Sequence, residues 1–205
     1  MNRHQLNTYG NMDRAAEHSP LLSLPNILTY ARIAAVPGMV GCFFLKGDYS
    51  YWLALAIFVA AGITDFLDGY FARTLKQQSS LGRMLDPIAD KLLVSAALLM
   101  LAANQTIAGW SLWAGVIILS REILVSGLRE FLSELNVSVP VTQLAKWKTT
   151  AQMLAIGFLL VGPVADSIFS WTTLTGLVLL WMAAVLTLYT GYDYFRAGLR
   201  HVIEQ

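Results

Sequence analysis

The sequence predicts an all-α integral membrane protein: about six transmembrane helices around a cytoplasm-facing polar cavity. Three observations lead there. Hydrophobic residues make up 56% of the chain and charged residues only 13%, which is the composition of a membrane protein. Apolar runs of about the length needed to cross a bilayer recur along the chain, separated by short polar turns. Threading six spans puts thirteen of the fourteen Lys and Arg residues on the side of the termini and leaves Lys46 alone on the other. Positive loops mark the cytoplasmic face.

In chain order, residues 1–19 read as a polar tail with no apolar stretch of the kind that precedes a cleavage site, so no cleaved leader is expected. Residues 20–26 (PLLSLPN) form a short proline-bounded segment suited to the membrane surface. Pro25-Asn26 then opens the first helix, with Asn26 as a cap. The expected spans are Ile27–Leu45, Tyr51–Arg73, Asp86–Ala103, Trp110–Phe131, Thr149–Val164 and Trp171–Tyr194. The six-helix domain is therefore taken as residues 27–195, and residues 196–205 as a cytoplasmic tail. The only cysteine, Cys42, lies in an apolar run and has no partner for an internal disulfide.

The stretch that breaks the apolar pattern is Thr64–Lys91, which carries Asp65, Asp68, Asp86 and Asp90. The first pair is spaced i,i+3 and the second i,i+4, so each pair projects from one helix face. Two antiparallel helices joined through residues 73–82 would bring four carboxylates together. Such a group repels itself, and burial makes each charge costlier. Two divalent cations would neutralise it, and hard oxygen ligands suit Mg²⁺ or Mn²⁺. A two-metal carboxylate site fits phosphoryl chemistry. The plain alternative is a solvated acidic helix end, which acids inside a membrane domain disfavour.

A second polar group follows. Arg121-Glu122 sits inside the fourth span, and Lys146 and Lys148 open the fifth. Arg121, Lys146 and Lys148 together offer a phosphate site beside the acids; an internal Arg121–Glu122 salt bridge is the structural alternative. His4, His18 and His201 are scattered outside the spans, which argues against a histidine metal site or base. With no histidine or cysteine placed to take a proton, Asp90 is the candidate general base as well as a metal ligand. A net charge of +1 points to no nucleic-acid partner.

The pattern Asp65-x2-Asp68-Gly69-x2-Ala72-Arg73-x8-Gly82-x3-Asp86-x3-Asp90 resembles the signature of the CDP-alcohol phosphotransferase family at every specified position. The resemblance implies metal binding by Asp65, Asp68, Asp86 and Asp90. It implies a CDP pocket made by Asp68, Gly69, Ala72, Arg73, Ser79 and Gly82, bordered by Asn26 and Thr29 of the first helix. The stretches around Arg121 and Lys146 are similar to relatives that hold the phosphate of an acceptor there, although Ala145 stands where those relatives often carry glycine. The expectation is transfer of the phosphatidyl group from CDP-diacylglycerol to glycerol 3-phosphate, with release of CMP. The enzyme would act as a homodimer in a bacterial-type inner membrane, with termini and active site facing the cytoplasm. Serine, inositol phosphate or phosphatidylglycerol as acceptor is the alternative within the family. A cation transporter using the acidic cluster is the alternative outside it.

Overall fold

The computed structural model describes residues 24–75, 80–135 and 143–203. The expected tail at 1–19, most of the surface segment 20–26 and the candidate Ser79 lie outside the described residues. Within them the chain is helical and contains no strand. The elements are α1 (Leu24–Cys42), α2 (Tyr49–Leu75), α3 (Ser80–Ala103), a 3-10 turn (Gly109–Ser111), α4 (Leu112–Glu134), α5 (Gln143–Ala165) and α6 (Thr172–Ile203).

Among the described residues, three segments are long and apolar enough to cross a bilayer: Gly109–Ser133, Gln143–Ala165 and Thr172–Arg196. Tyr49–Asp65 is a shorter apolar helical stretch. Large apolar side chains point outward along these helices, among them Leu53, Ile123, Leu124, Leu174 and Val185. In water such a surface would be a liability; in lipid it is the solvated face. Trp110, Trp113, Phe169 and Trp171 are exposed around the α3–α4 and α5–α6 connections, where aromatic rings suit a membrane–water boundary.

Helix boundaries differ from the expected ones where polar residues proved compatible with helix. α1 begins at Leu24, so Pro25 occupies the first turn, where its missing N–H costs nothing. Asn26 is therefore not a cap but a buried residue inside the helix, 1% exposed. α3 begins at Ser80, six residues before the expected start. Only Gly82 in Ser80–Leu85 opposes helix, at about 1 kcal/mol. α5 begins at Gln143, because Leu144-Ala-Lys-Trp-Lys148 is made largely of good helix formers. α6 continues to Ile203 and prolongs the last helix past residue 195.

The core is built from small and branched residues. α1 packs on α2 and α3; α5 packs on α2, α3 and α6; α4 packs on α6. Ala54, Ala61, Ala97, Ala114, Ala155, Ala183 and Ala184 are essentially inaccessible, among Phe58, Leu101, Ile118, Leu159 and Leu180. Small side chains let helices approach closely where lipid supplies little driving force for association. Cys42 is buried and free, its Sγ donating to the Gly38 carbonyl at 3.3 Å. Gly47 takes a φ of +107° in the turn between α1 and α2, and its carbonyl accepts from the Ser50 hydroxyl at 2.8 Å.

α5 and α6 approach closely. A Cβ on Gly176 would lie 2.7 Å from Leu159 Cγ and 3.2 Å from the Leu159 backbone nitrogen. Backbone cannot move aside as a side-chain end can. Gly176→Ala is therefore expected to destabilise the bundle by about 1–3 kcal/mol, read as a lower thermal midpoint in detergent; an unchanged midpoint would show that the two helices separate freely. At the same connection the Thr173 N–H donates to Asp166 Oδ1 at 3.0 Å and caps α6. Bonding to Thr173 holds the Asp166 carboxyl below its ordinary range.

Candidate active site

α1 contributes a stripe of buried polar residues at i, i+3 and i+6: Asn26, Thr29 and Arg32, 1%, 2% and 1% exposed. This periodicity puts all three on one helix face, and α1 packs on α2 and α3. The Arg32 guanidinium is fully enclosed. A charge in that position is tolerable only with anionic partners, and the signature supplies them. Arg32 Nη2 lies 3.2 Å from Asp65 Oδ1, and Nη1 donates to Asp86 Oδ1 at 2.8 Å and lies 3.4 Å from Asp90 Oδ1. One planar fork thus gathers three carboxylates from two helices, a geometry that lysine's single ammonium would not reproduce.

The three carboxylates remain between 35% and 50% exposed on the side away from Arg32. Three acids against one arginine leave two formal negative charges unbalanced. Hard oxygen donors with surplus negative charge and open faces suit a divalent cation. Among the described residues, no three such side chains are already arranged as a closed metal cage. Asp68 sits on α2, but its side chain, with those of Ala72 and Arg73, lies outside the described residues. Gly69 lies on α2 and Gly82 on α3, so the backbone of the signature helices runs on beyond the acids.

A cavity of about 360 Å³ opens beside the acids, enclosed by α2, α3, α4 and α5. Its volume falls within the range of small-ligand pockets. It is lined by the acids Asp65, Asp90 and Glu122, by the cations Lys91, Arg129 and Lys148, and by Gln152. The lining therefore mixes three acids with three cations, one of each sign on α3 and on α4.

The cationic part has its own scaffold. Lys148 is 4% exposed and its ammonium binds Glu122 Oε1. Arg121 Nη1 donates to the same oxygen at 3.2 Å, while its Nη2 donates to Thr190 Oγ1 on α6 at 3.3 Å. Gly191 leaves room for the Arg121 stem, which lies 3.1 Å from where a Cβ would stand. Arg129 rests over the Tyr194 ring, 5.7 Å from its centroid, a cation–π contact that fixes its stem.

The sequence-predicted candidates thus separate. Asp65, Asp86 and Asp90 are brought together, and Lys148 joins the cavity that Asp65 and Asp90 line. Arg121 is drawn toward α6 and Lys146 is exposed on a different face of α5 from Lys148; neither lines the cavity. The sequence motifs do not assign Arg32, Glu122, Arg129 or Gln152 to the site. Their signal is helical spacing: Arg32 stands i+3 from Thr29, Arg129 i+7 from Glu122, and Gln152 i+4 from Lys148.

A bundle containing helices long and apolar enough to span a bilayer carries an acid cluster beside a pocket lined by both acids and cations. The chain belongs to the CDP-alcohol phosphatidyltransferase family, which it matches over residues 22–189. It is 47% identical to the CDP-diacylglycerol–glycerol-3-phosphate 3-phosphatidyltransferase of Rickettsia bellii, over 85% of this chain and 94% of that one. A protein of the same name from Cereibacter sphaeroides is 41% identical, over 89% and 98%. The second such protein of Arabidopsis thaliana is 38% identical, over 91% and 84%.

Proposed function

We propose that this protein transfers the phosphatidyl group of CDP-diacylglycerol to glycerol 3-phosphate, giving phosphatidylglycerophosphate and CMP. The observation that carries the reading is a cavity of mixed charge: one pocket with carboxylates at Asp65 and Asp90 and cations at Lys148 and Arg129. An acceptor with both a phosphate and a reacting hydroxyl fits that combination. The names of the relatives support the same pair of substrates.

Asp65, Asp68, Asp86 and Asp90 would hold two divalent ions, Mg²⁺ or Mn²⁺, which supply charge neutralisation at the diphosphate and at the departing CMP. Arg32 keeps three of these carboxylates oriented toward one point. Asp90 lines the cavity with its carboxylate half exposed, which supports the reading that it accepts the proton of the acceptor hydroxyl. That oxygen forms a bond to the phosphatidyl phosphorus as the bond to the CMP oxygen breaks. Asn26, Thr29, Gly69, Ala72, Arg73, Ser79 and Gly82 would receive the cytidine diphosphate. Lys148 and Arg129 would hold the acceptor phosphate. Arg121 shares Glu122 with Lys148 and acts by orienting that pair; Lys146 adds positive charge at the approach. The reading places six spans with termini and site on the cytoplasmic side of an inner membrane, and a homodimer as the working unit.

An acceptor panel tests the substrate. Glycerol 3-phosphate, serine, inositol phosphate and phosphatidylglycerol are supplied in turn with CDP-diacylglycerol, and the lipid product is identified. Phosphatidylglycerophosphate is expected; product with serine alone would refute the phosphate-anchored reading. Lys148→Met keeps most of the packing and removes the charge. It should raise the apparent KM for glycerol 3-phosphate about 10- to 100-fold, the worth of a charge-assisted hydrogen bond, and leave that for CDP-diacylglycerol within about twofold. Equal losses for both substrates would make Lys148 a purely structural partner of Glu122.

A further inference from the structure

Gln152 is 4% exposed, lines the cavity, and stands one helical turn beyond Lys148 on α5. That turn places it about 6 Å along the helix axis from the lysine, and Asp65 and Asp90 line the same cavity. Its Oε1 is buried and, among the described residues, accepts no hydrogen bond. Burying a carbonyl oxygen without a donor is costly, and native structures rarely leave one so. The group it lacks is a donor. A phosphate or carboxylate has none to give at neutral pH. An ammonium has, but the proposed acceptor carries none; its donors are hydroxyls. A neutral hydroxyl satisfies the oxygen without electrostatic penalty.

Resting on the glycerol 3-phosphate reading, we infer that Gln152 accepts a hydrogen bond from the secondary hydroxyl of the acceptor and so selects a polyol phosphate. With the phosphate held at Lys148 and Arg129 and the primary hydroxyl at Asp90, the middle carbon of a three-carbon acceptor faces Gln152. Sites built around a hydrogen bond reject an analogue that lacks the group, because the buried partner is then stranded. Selectivity for the hydroxyl follows from the amide, not from the charges at either end.

The experiment compares two acceptors in mixed micelles by initial rates of CMP release: glycerol 3-phosphate and 3-hydroxypropyl phosphate, the same chain without the secondary hydroxyl. The unaltered protein should favour glycerol 3-phosphate in kcat/KM by about 10- to 100-fold. Gln152→Leu and Gln152→Met should lower kcat/KM for glycerol 3-phosphate by the same factor and leave the deoxy acceptor within about twofold, so the ratio falls toward one. Two variants are used because leucine changes the shape more than methionine does, and thermal midpoints verify folding. A ratio near one in the unaltered protein overturns the inference whatever the variants do. A ratio kept in a folded variant, or equal loss on both acceptors, overturns it as well. Failure of the underlying reading looks different: neither phosphorylated acceptor releases CMP while another acceptor does.

Discussion

Asp90→Asn is expected to reduce turnover by roughly 10²–10⁴, the loss typical of a removed general base, while CDP-diacylglycerol and the divalent cation still bind. Asparagine keeps the shape of the side chain and its contact distance to Arg32 Nη1, 3.4 Å in the native residue. It removes the basicity that the acceptor proton requires. Asp90 is the carboxylate with the greater exposure among the three around Arg32, 50% against 41% for Asp65 and 35% for Asp86. Both it and Asp65 line the cavity, whereas Asp86 does not. Asp86→Asn serves as the contrast, since it should weaken the hydrogen bond to Arg32 and the proposed metal site at a residue that does not line the cavity. The measurement is single-turnover CMP formation at saturating metal, alongside equilibrium binding of CDP-diacylglycerol. Near-native turnover in Asp90→Asn, or complete loss of metal binding, would remove the base assignment.

Metal removal is expected to abolish turnover outright. The three described acids carry two more negative charges than Arg32 neutralises, and a diphosphate brought to the same place adds more. At short range in a low-dielectric site such repulsion amounts to several kcal/mol. Arg32 has no further charge to give. EDTA should therefore stop CMP release, and Mg²⁺ or Mn²⁺ should restore it. The same cations should raise the thermal midpoint of the unliganded protein, since an ion that binds only the folded state stabilises it by mass action. That gain should shrink in Asp65→Asn. Full turnover in chelator would refute the cation-dependent account of the acids.

The acid cluster was legible because an apolar chain makes charge conspicuous. Four aspartates with i,i+3 and i,i+4 spacing admit few bland explanations when apolar segments flank both pairs. The helical class was equally legible, since run length and composition report it directly. Helix starts were less so. Ser80–Leu85 and Gln143–Lys148 read as polar connection, and both are helix, because polarity marks exposure and not conformation. The partner of the acids was harder still. A lone arginine in the first helix announces that it needs an anion, but sequence does not say which of the chain's acids supplies it. The roles of the basic residues turned on helical phase. Lys146 and Lys148 are two residues apart and so face in different directions; only the packing of α5 on α2 and α3 decides which of them meets the cavity.

The most direct measurement is the stoichiometry of purified protein in CDP-diacylglycerol micelles with Mg²⁺, with CMP release and incorporation of labelled glycerol 3-phosphate followed together. The account predicts one CMP released for each glycerol 3-phosphate incorporated into lipid, and negligible CMP without the acceptor. CMP released without incorporation, or cation flux in proteoliposomes with no CMP at all, would contradict it.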